Sequence, residues 1–263
     1  MHNAAFAALG LNWRYLAFEV RPNNLAAAIA GARAMQFAGL NLTVPHKLLA
    51  LELVDVLDES AKTWGAVNTI HFKPAGAGGE LRAVGYNTDA DAIASALRED
   101  LGLELGGAKV LLLGAGGAGR TAALRLAAGG VEELFLVNRT RSKADEIASE
   151  IKKRFPAVRT VAAYPQTAVD LVVNATSLGL KPGDPSPLDQ KQFLLHQSRA
   201  VYDMIYNPAE TALLQSAKAA GCRAANGLGM LLHQGAKAFE IWTGQTAPLD
   251  VMRRALEQNI YGH

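Results

Sequence analysis

Gly114-Ala115-Gly116-Gly117-Ala118-Gly119 sets three glycines at the spacing G-x-G-x-x-G, directly after the apolar run Val110 to Leu113 and ahead of an amphipathic helix. A strand running through such a turn into a helix is the context in which that spacing has chemical meaning. Gly114 permits the tight turn, Gly116 lets the backbone approach a pyrophosphate, and Gly119 lets the helix pack close on the strand. Ala115, Gly117 and Ala118 complete a turn whose amides and helix N-terminus offer donors to an anion. The plain alternative is a glycine-rich turn without a ligand. After the next expected strand comes Asn138-Arg139-Thr140, with Arg141 and Lys143 close behind. An NAD enzyme places a carboxylate there against the ribose 2′-hydroxyl, and a carboxylate repels a 2′-phosphate. A guanidinium binds that phosphate bidentately, so the local chemistry selects NADP. Ser142 and Asp145 also have the arrangement of a capping box, compatible with basic residues that are merely solvated.

The elements that must position this turn follow from hydrophobic periodicity. From Lys109 onward apolar runs alternate with amphipathic helices: Val110 to Leu113, Leu134 to Val137, Val158 to Ala163, Leu171 to Asn174 and Ala200 to Met204. Continuous apolar runs separated by helices predict parallel strands covered on both faces. The first third reads differently. An Ala-rich helix is expected from Asn24 to Ala38, with Leu25, Ile29 and Met35 near one face, then a short buried strand from Leu40 to Val44 closed by Pro45. A helix from Lys47 to Leu57 follows; Val67 to Phe72 and Leu81 to Tyr86 read as strands flanking the turn Lys73 to Gly79. From Asp89 a helix presents Ile93, Ala96, Leu97 and Leu101 on one side. Helices around Leu228 to Thr243 and Pro248 to Ile260 close the chain and are expected to pack back on the first domain or across the cleft.

The fold class expected is therefore α/β with two domains: an α/β substrate domain over residues 1–88, completed by helices in 228–263, and a Rossmann-type doubly wound parallel sheet over 89–227. The 263 residues, half of them hydrophobic, suffice for two cores. Formal charge is only +2, from 26 basic and 24 acidic residues without a basic stripe, so nucleic acid is not an expected partner. The single Cys222 forms no internal disulfide and has no Cys/His set near it, which leaves it a small core hydrophobe in a reducing, metal-free protein. No apolar run reaches the roughly 18 residues of a membrane span, and Met1 to Gly10 lacks the features of a signal peptide. A cytoplasmic protein, monomer or homodimer, is expected.

Three stretches of the first domain resemble the shikimate dehydrogenase family: Asn41-Leu42-Thr43-Val44-Pro45-His46-Lys47, Gly65-Ala66-Val67-Asn68-Thr69 and Gly85-Tyr86-Asn87-Thr88-Asp89. Further on, Gly114 to Arg120, Asn138-Arg139-Thr140, Asn174-Ala175-Thr176-Ser177, Tyr202-Asp203-Met204-Ile205-Tyr206 and Gly227 to Gln234 resemble that family's motifs in the same order. The resemblance implies reversible NADPH-dependent reduction of 3-dehydroshikimate to shikimate, a step towards chorismate and the aromatic amino acids. It implies Lys47 and Asp89 as the catalytic pair, meeting beside the nicotinamide across a groove between the two domains. It also implies Asn41, Thr43, Asn68, Tyr206 and Gln234 as substrate-binding groups, and Thr176, Ser177, Met204, Gly227 and Met230 around the cofactor's ribose and nicotinamide.

The chemistry agrees with that assignment, because hydride delivery to a ketone builds negative charge on oxygen. An ammonium stabilises that charge and supplies a proton while a carboxylate orients the ammonium. Taken singly, each residue has a blander reading: a solvated Lys47, an Asp89 that caps its helix, Thr43 and Asn68 bonded to backbone, Met230 in the core. His46 and His71 have no obvious partner and are assigned no chemistry.

Members of the family usually open with a β-strand and a loop carrying two serines that bind the substrate carboxylate. This sequence begins at the following helix, which resembles Met1-His2-Asn3-Ala4-Ala5-Phe6, and the expectation is that the N-terminus is incomplete. An inner strand missing from the first sheet leaves unpaired backbone groups, each costing on the order of 1–3 kcal/mol if buried. Two other readings stay open: a quinate/shikimate dehydrogenase of relaxed specificity, and a dinucleotide-binding module without turnover.

Overall fold

The computed structural model describes residues 1–76, 79–181 and 183–262. Residues 77 and 78, the middle of the expected Lys73 to Gly79 turn, lie outside the described residues, as does residue 263. The chain divides into two compact units, Met1–Asp89 with Leu232–His263, and Ala90–Leu231. Both divisions fall inside helices, at α5 (Asp89–Leu101) and α9 (Leu228–Thr243).

In the first unit, helices α1 (His2–Ala8), α2 (Leu25–Ala34), α3 (His46–Leu49) and α4 (Glu59–Trp64) accompany strands β1 (Gly39–Asn41), β2 (Val56–Leu57), β3 (Thr69–Pro74) and β4 (Leu81–Tyr86). The sheet order is β1-β3-β4-β2, with β3 antiparallel to both neighbours and β2 parallel to β4. Leu25, Ile29 and Ala32 of α2 and Ala61 of α4 pack on Val67, Ile70, Phe72 and Ala83, which forms this unit's core. Asp58 caps α4 by accepting from the Ser60 amide at 2.9 Å, and Gly65 closes it in the left-handed region at φ 64°. The last helices return to this unit. The Trp242 Nε1–H donates to Ile70 O at 2.9 Å, which is why position 39, packed against that indole, has room only for glycine. Phe6 stacks on Phe239 with ring centroids 5.5 Å apart, and α10 (Leu249–Tyr261) packs on α1.

Several expected boundaries move. The Ala-rich helix ends at Ala34, since Gln36 turns to φ 57° and Met35 is 65% exposed rather than on the buried face. The helix expected from Lys47 to Leu57 is one α-turn, His46–Leu49, then a 3-10 turn, Ala50–Glu52. Beyond it the Asp55 carboxylate accepts from the Ala83 amide at 2.6 Å and draws Val56–Leu57 into the sheet as β2. The strand expected from Leu40 to Val44 ends at Asn41, with Val44 75% exposed, and the strand expected from Val67 starts at Thr69.

In the second unit, strands β5 (Lys109–Leu113), β6 (Glu133–Val137), β7 (Arg159–Val161), β8 (Val169–Asn174), β9 (Ser198–Asp203) and β10 (Arg223–Asn226) form one sheet. Every pairing is parallel, in the order β10-β9-β8-β5-β6-β7. Renumbered within the unit this is 3-2-1-4-5-6, the dinucleotide-binding order, whose direction reverses between β5 and β8. Connections run through α6 (Gly117–Ala128), α7 (Arg141–Arg154) and α8 (Ala212–Ala219). Leu111, Leu112, Val172, Val173 and Val201 are fully buried, each stabilising the fold by about 1.5–3 kcal/mol relative to exposure. The edge strand β10 was not expected from Arg-Ala-Ala-Asn, which carries no apolar run. Among the described residues no helix is long and apolar enough to cross a membrane.

Candidate active site

The three motif stretches of the first unit are joined by backbone bonds before any side chain is considered. The Val67 amide donates to Lys47 O at 2.9 Å, the Leu42 amide to Asn68 O at 2.7 Å, and the Asn68 amide to Tyr86 O at 3.0 Å. Two asparagines fasten them further. Asn68 accepts from the Thr88 amide at 2.8 Å through Oδ1 and donates to Thr88 Oγ1 at 2.9 Å. Asn87 accepts from the Asp89 amide at 3.1 Å and donates to Ala66 O at 3.1 Å.

On that frame the Lys47 Nζ donates to Asp89 Oδ2 at 2.8 Å. The two side chains are 29% and 12% exposed, and such a partly solvated pair contributes at most about 1 kcal/mol to stability. Its consequence is orientation: the carboxylate fixes where a mobile ammonium points. Asp89 is the first residue of α5 and not the cap expected for it, because its carboxylate faces Lys47 and the preceding residue is Thr88.

Of the residues that resemblance links to substrate, Asn41, Thr43, Asn68 and Gln234 lie in the first unit, whereas Tyr206 lies in the second. Thr43 is exposed and Gln234 half-buried on α9. Asn41 donates through Nδ2 to Thr69 Oγ1 at 2.9 Å and to Asn68 O at 3.3 Å, and accepts from the Tyr15 hydroxyl at 2.9 Å. Both its amide protons are thus engaged, which leaves an acceptor lone pair on Oδ1. Asn68 is 1% exposed, and its Oδ1 also accepts from Thr69 Oγ1 at 3.1 Å. Tyr15 and Asn87 escaped the sequence reading. Asn87 was in view beside Asp89; nothing in the sequence pairs Tyr15 with Asn41.

Beneath this site lies an aromatic cluster. His2 stacks on Tyr15 at 4.3 Å and 7°, tilts against Trp242 at 5.6 Å, and its Nε2 donates to Gly235 O at 3.1 Å. Burial lowers the imidazole to about 4 and keeps it neutral.

In the second unit the glycine turn sits at the carboxyl end of β5, beside the direction reversal, the position where open parallel sheets bind ligands. Gly114 has φ 108°, and a Cβ there would lie 2.8 Å from Ala175 O. A Cβ at Gly119 would overlap the Gly114 carbonyl, whereas positions 116 and 117 face open space. Gly116 precedes α6 with no side-chain cap, so the first amides of that helix are available to an anion. Asn138 ties the turn to the next loop, accepting from the Ala115 amide at 3.1 Å and donating to Thr140 O at 2.8 Å. Arg139, Thr140, Arg141 and Lys143 are exposed, and Arg139 and Lys143 pair with no carboxylate among the described residues. The capping box expected from Ser142 and Asp145 does not form. Thr140 precedes the helix without a side-chain cap, and Asp145 instead lies 3.8 Å from Arg141. An unpaired guanidinium beside bare turn amides fits a 2′-phosphorylated dinucleotide.

The loops after β8 and β9 complete this end of the sheet. Asn174 accepts from the Thr176 amide at 2.9 Å and from its hydroxyl at 2.8 Å, and the Met204 amide donates to Asn174 O at 2.9 Å. Ser177 is exposed. Gly227 donates to Ile205 O at 3.0 Å and packs against the Met204 carbonyl, where a side chain has no room. The half-buried Met230 donates its amide to Tyr202 Oη at 3.3 Å. Among the described residues no group of three His, Cys, Asp or Glu could hold a metal ion.

A parallel sheet of this order with a glycine turn at its reversal, in one chain with a unit bearing an oriented ammonium, defines a two-unit protein of the dinucleotide-binding class. Residues 1–70 match the shikimate dehydrogenase substrate binding domain, residues 96–180 the shikimate/quinate 5-dehydrogenase model, and residues 227–257 the shikimate 5′-dehydrogenase C-terminal domain. The chain belongs to the shikimate dehydrogenase family. It is 40% identical over 267 residues to shikimate dehydrogenase (NADP(+)) of Methanopyrus kandleri, covering 99% of this chain and 90% of the relative. Among solved structures, shikimate 5-dehydrogenase of Thermus thermophilus in complex with NADP(H) and shikimate has a TM-score of 0.85 at 36% identity, covering 98% and 92% of the two chains. The 5-ketofructose reductase of Gluconobacter sp. strain CHM43 has a TM-score of 0.83 at 36% identity, covering 98% and 91%.

Proposed function

We infer that this chain is an NADP-dependent shikimate dehydrogenase, interconverting 3-dehydroshikimate and shikimate. The observation that carries the reading is the Lys47–Asp89 pair, held at 2.8 Å by a frame built from the same motifs that identify the family. Bound NADPH supplies the hydride. Lys47 supplies the other half of the reduction: its ammonium donates a proton to the ketone oxygen as negative charge develops there, becomes an amine, and regains a proton from solvent. In the oxidative direction the same amine takes the hydroxyl proton. Asp89 orients the ammonium by accepting from it at 2.8 Å.

Asn41, Thr43, Asn68, Tyr206 and Gln234 are the substrate-binding groups of this reading, with Asn41 acting as acceptor because its donors are engaged. The amides of residues 116–119 would hold the pyrophosphate and Arg139, with Thr140 and Lys143, the 2′-phosphate. Thr176, Ser177, Met204, Gly227 and Met230 surround the nicotinamide half. The enzyme belongs to chorismate biosynthesis and works in the cytoplasm as a monomer or homodimer.

Steady-state oxidation of NADPH with 3-dehydroshikimate tests the reading, with quinate, 5-ketofructose and NADH as alternative substrates. The expected result is the highest kcat/KM for 3-dehydroshikimate with NADPH. NADPH binding without turnover on any of these substrates would instead mark a binding module.

A further inference from the structure

Asp203 ends β9 fully buried, and among the described residues no Lys, Arg or His pairs with it. Its carboxylate accepts from Asn174 Nδ2 at 2.9 Å and the Ile205 amide at 3.1 Å through Oδ1, and from Thr211 Oγ1 at 2.6 Å through Oδ2. Each donor belongs to a different piece of the cofactor end of the sheet. Asn174 ends β8 and holds Thr176 by both its amide and its hydroxyl. Ile205 follows Met204, and its carbonyl accepts from Gly227 at 3.0 Å. Thr211 caps α8, accepting from the Leu214 amide at 3.3 Å.

A buried carboxylate without a cation is a costly way to fill a strand end, and an apolar side chain would fill it with less desolvation. What an apolar side chain does not supply is three acceptor contacts that fix two loops and a helix start at once. We propose that Asp203 is a positioning residue for the cofactor, locking the loops after β8 and β9 so that Thr176 and Met204 are presented to the nicotinamide half. The proposal rests on the functional reading above, which assigns those two residues to that half. Burial pushes the Asp203 carboxyl above its ordinary range, and the three donors offset part of that rise.

The test uses the full-length chain and compares dissociation constants for NADPH and for adenosine 2′,5′-bisphosphate, which lacks the nicotinamide half, by calorimetry. Asp203→Ala is expected to weaken NADPH about tenfold or more, as loss of one or more hydrogen bonds implies, and to leave the bisphosphate within about twofold. Asp203→Asn keeps Oδ1 for Asn174 and Ile205, and its amide can donate to Thr211 once that hydroxyl turns, so NADPH affinity should return to within about threefold. Thr211→Val removes one donor from outside the site and should fall between these. It carries the comparison if Asp203→Ala does not fold.

Unchanged NADPH affinity in Asp203→Ala and Thr211→Val would overturn the proposal. So would equal losses for NADPH and the bisphosphate, or an Asp203→Asn as impaired as the alanine variant. None of these measurements uses shikimate, so a parent chain that binds NADPH but leaves 3-dehydroshikimate unreduced would overturn the functional reading alone.

Discussion

The Asp89 carboxylate reaches the Lys47 ammonium at 2.8 Å across forty-two positions of sequence, because Asn87 accepts from the Asp89 amide and Asn68 engages both the amide and the hydroxyl of Thr88. Changing Asp89 therefore disturbs an orientation and not a foundation. Asp89→Asn preserves shape and one acceptor while removing charge, and kcat should drop roughly 10- to 100-fold with thermal stability nearly unchanged. Steady-state kinetics and a melting curve on the same preparation check this; a kcat equal to the parent's would remove Asp89 from the mechanism.

The proposed function makes Arg139 the residue that governs the choice of cofactor. A guanidinium lost opposite a 2′-phosphate costs about 1.5–3 kcal/mol, so Arg139→Ala should raise the KM for NADPH about 10- to 100-fold and leave that for NADH little changed. Parallel titrations of the two cofactors decide it, and an equal rise in both would show that Arg139 does not read the phosphate.

His2 makes stability depend on pH. Folded, its imidazole protonates only near 4, whereas in the unfolded chain it does so near 6.5. The unfolded state therefore binds the extra proton first, so the stability tied to His2 is complete above about 6.5 and falls as pH drops towards 4. By pH 5 the loss is about 2 kcal/mol. His2→Gln keeps a donor for Gly235 O without a titrating ring. Urea denaturation at pH 7.5 and pH 5 should show the parent losing more stability than this variant, and equal losses would count against a buried neutral His2.

Gly119 carries the fit between helix and turn. An added Cβ meets the Gly114 carbonyl, a backbone atom that cannot swing away. Gly119→Ala is expected to destabilise the chain by about 1–3 kcal/mol and to weaken NADPH binding at least tenfold. A variant with parental affinity would show that the turn tolerates repacking.

What could be read in the sequence divides along physical lines. Strands β5, β6, β8 and β9 are buried on both faces, so they appear as unbroken apolar runs, and the glycine turn is local chemistry that needs no partner to be recognised. β10 is a half-buried edge of small and polar residues, and β2 exists because Asp55 reaches the Ala83 amide, a contact no periodicity encodes. The site shows the same division. Lys47, Asp89 and Arg139 stand in dense motifs, whereas Tyr15, Asn87 and Asp203 owe their roles to partners chosen by the fold. Asp203 did leave a mark, as a carboxylate directly after the run Ala200-Val201-Tyr202.

Turnover of Lys47→Ala tests the account at its centre. With 3-dehydroshikimate and NADPH, kcat should fall about a hundredfold or more while the dissociation constant for NADPH and the melting temperature stay near those of the parent. Parental turnover in that variant would contradict the assignment of Lys47 as the proton donor, and with it the mechanism proposed for this chain.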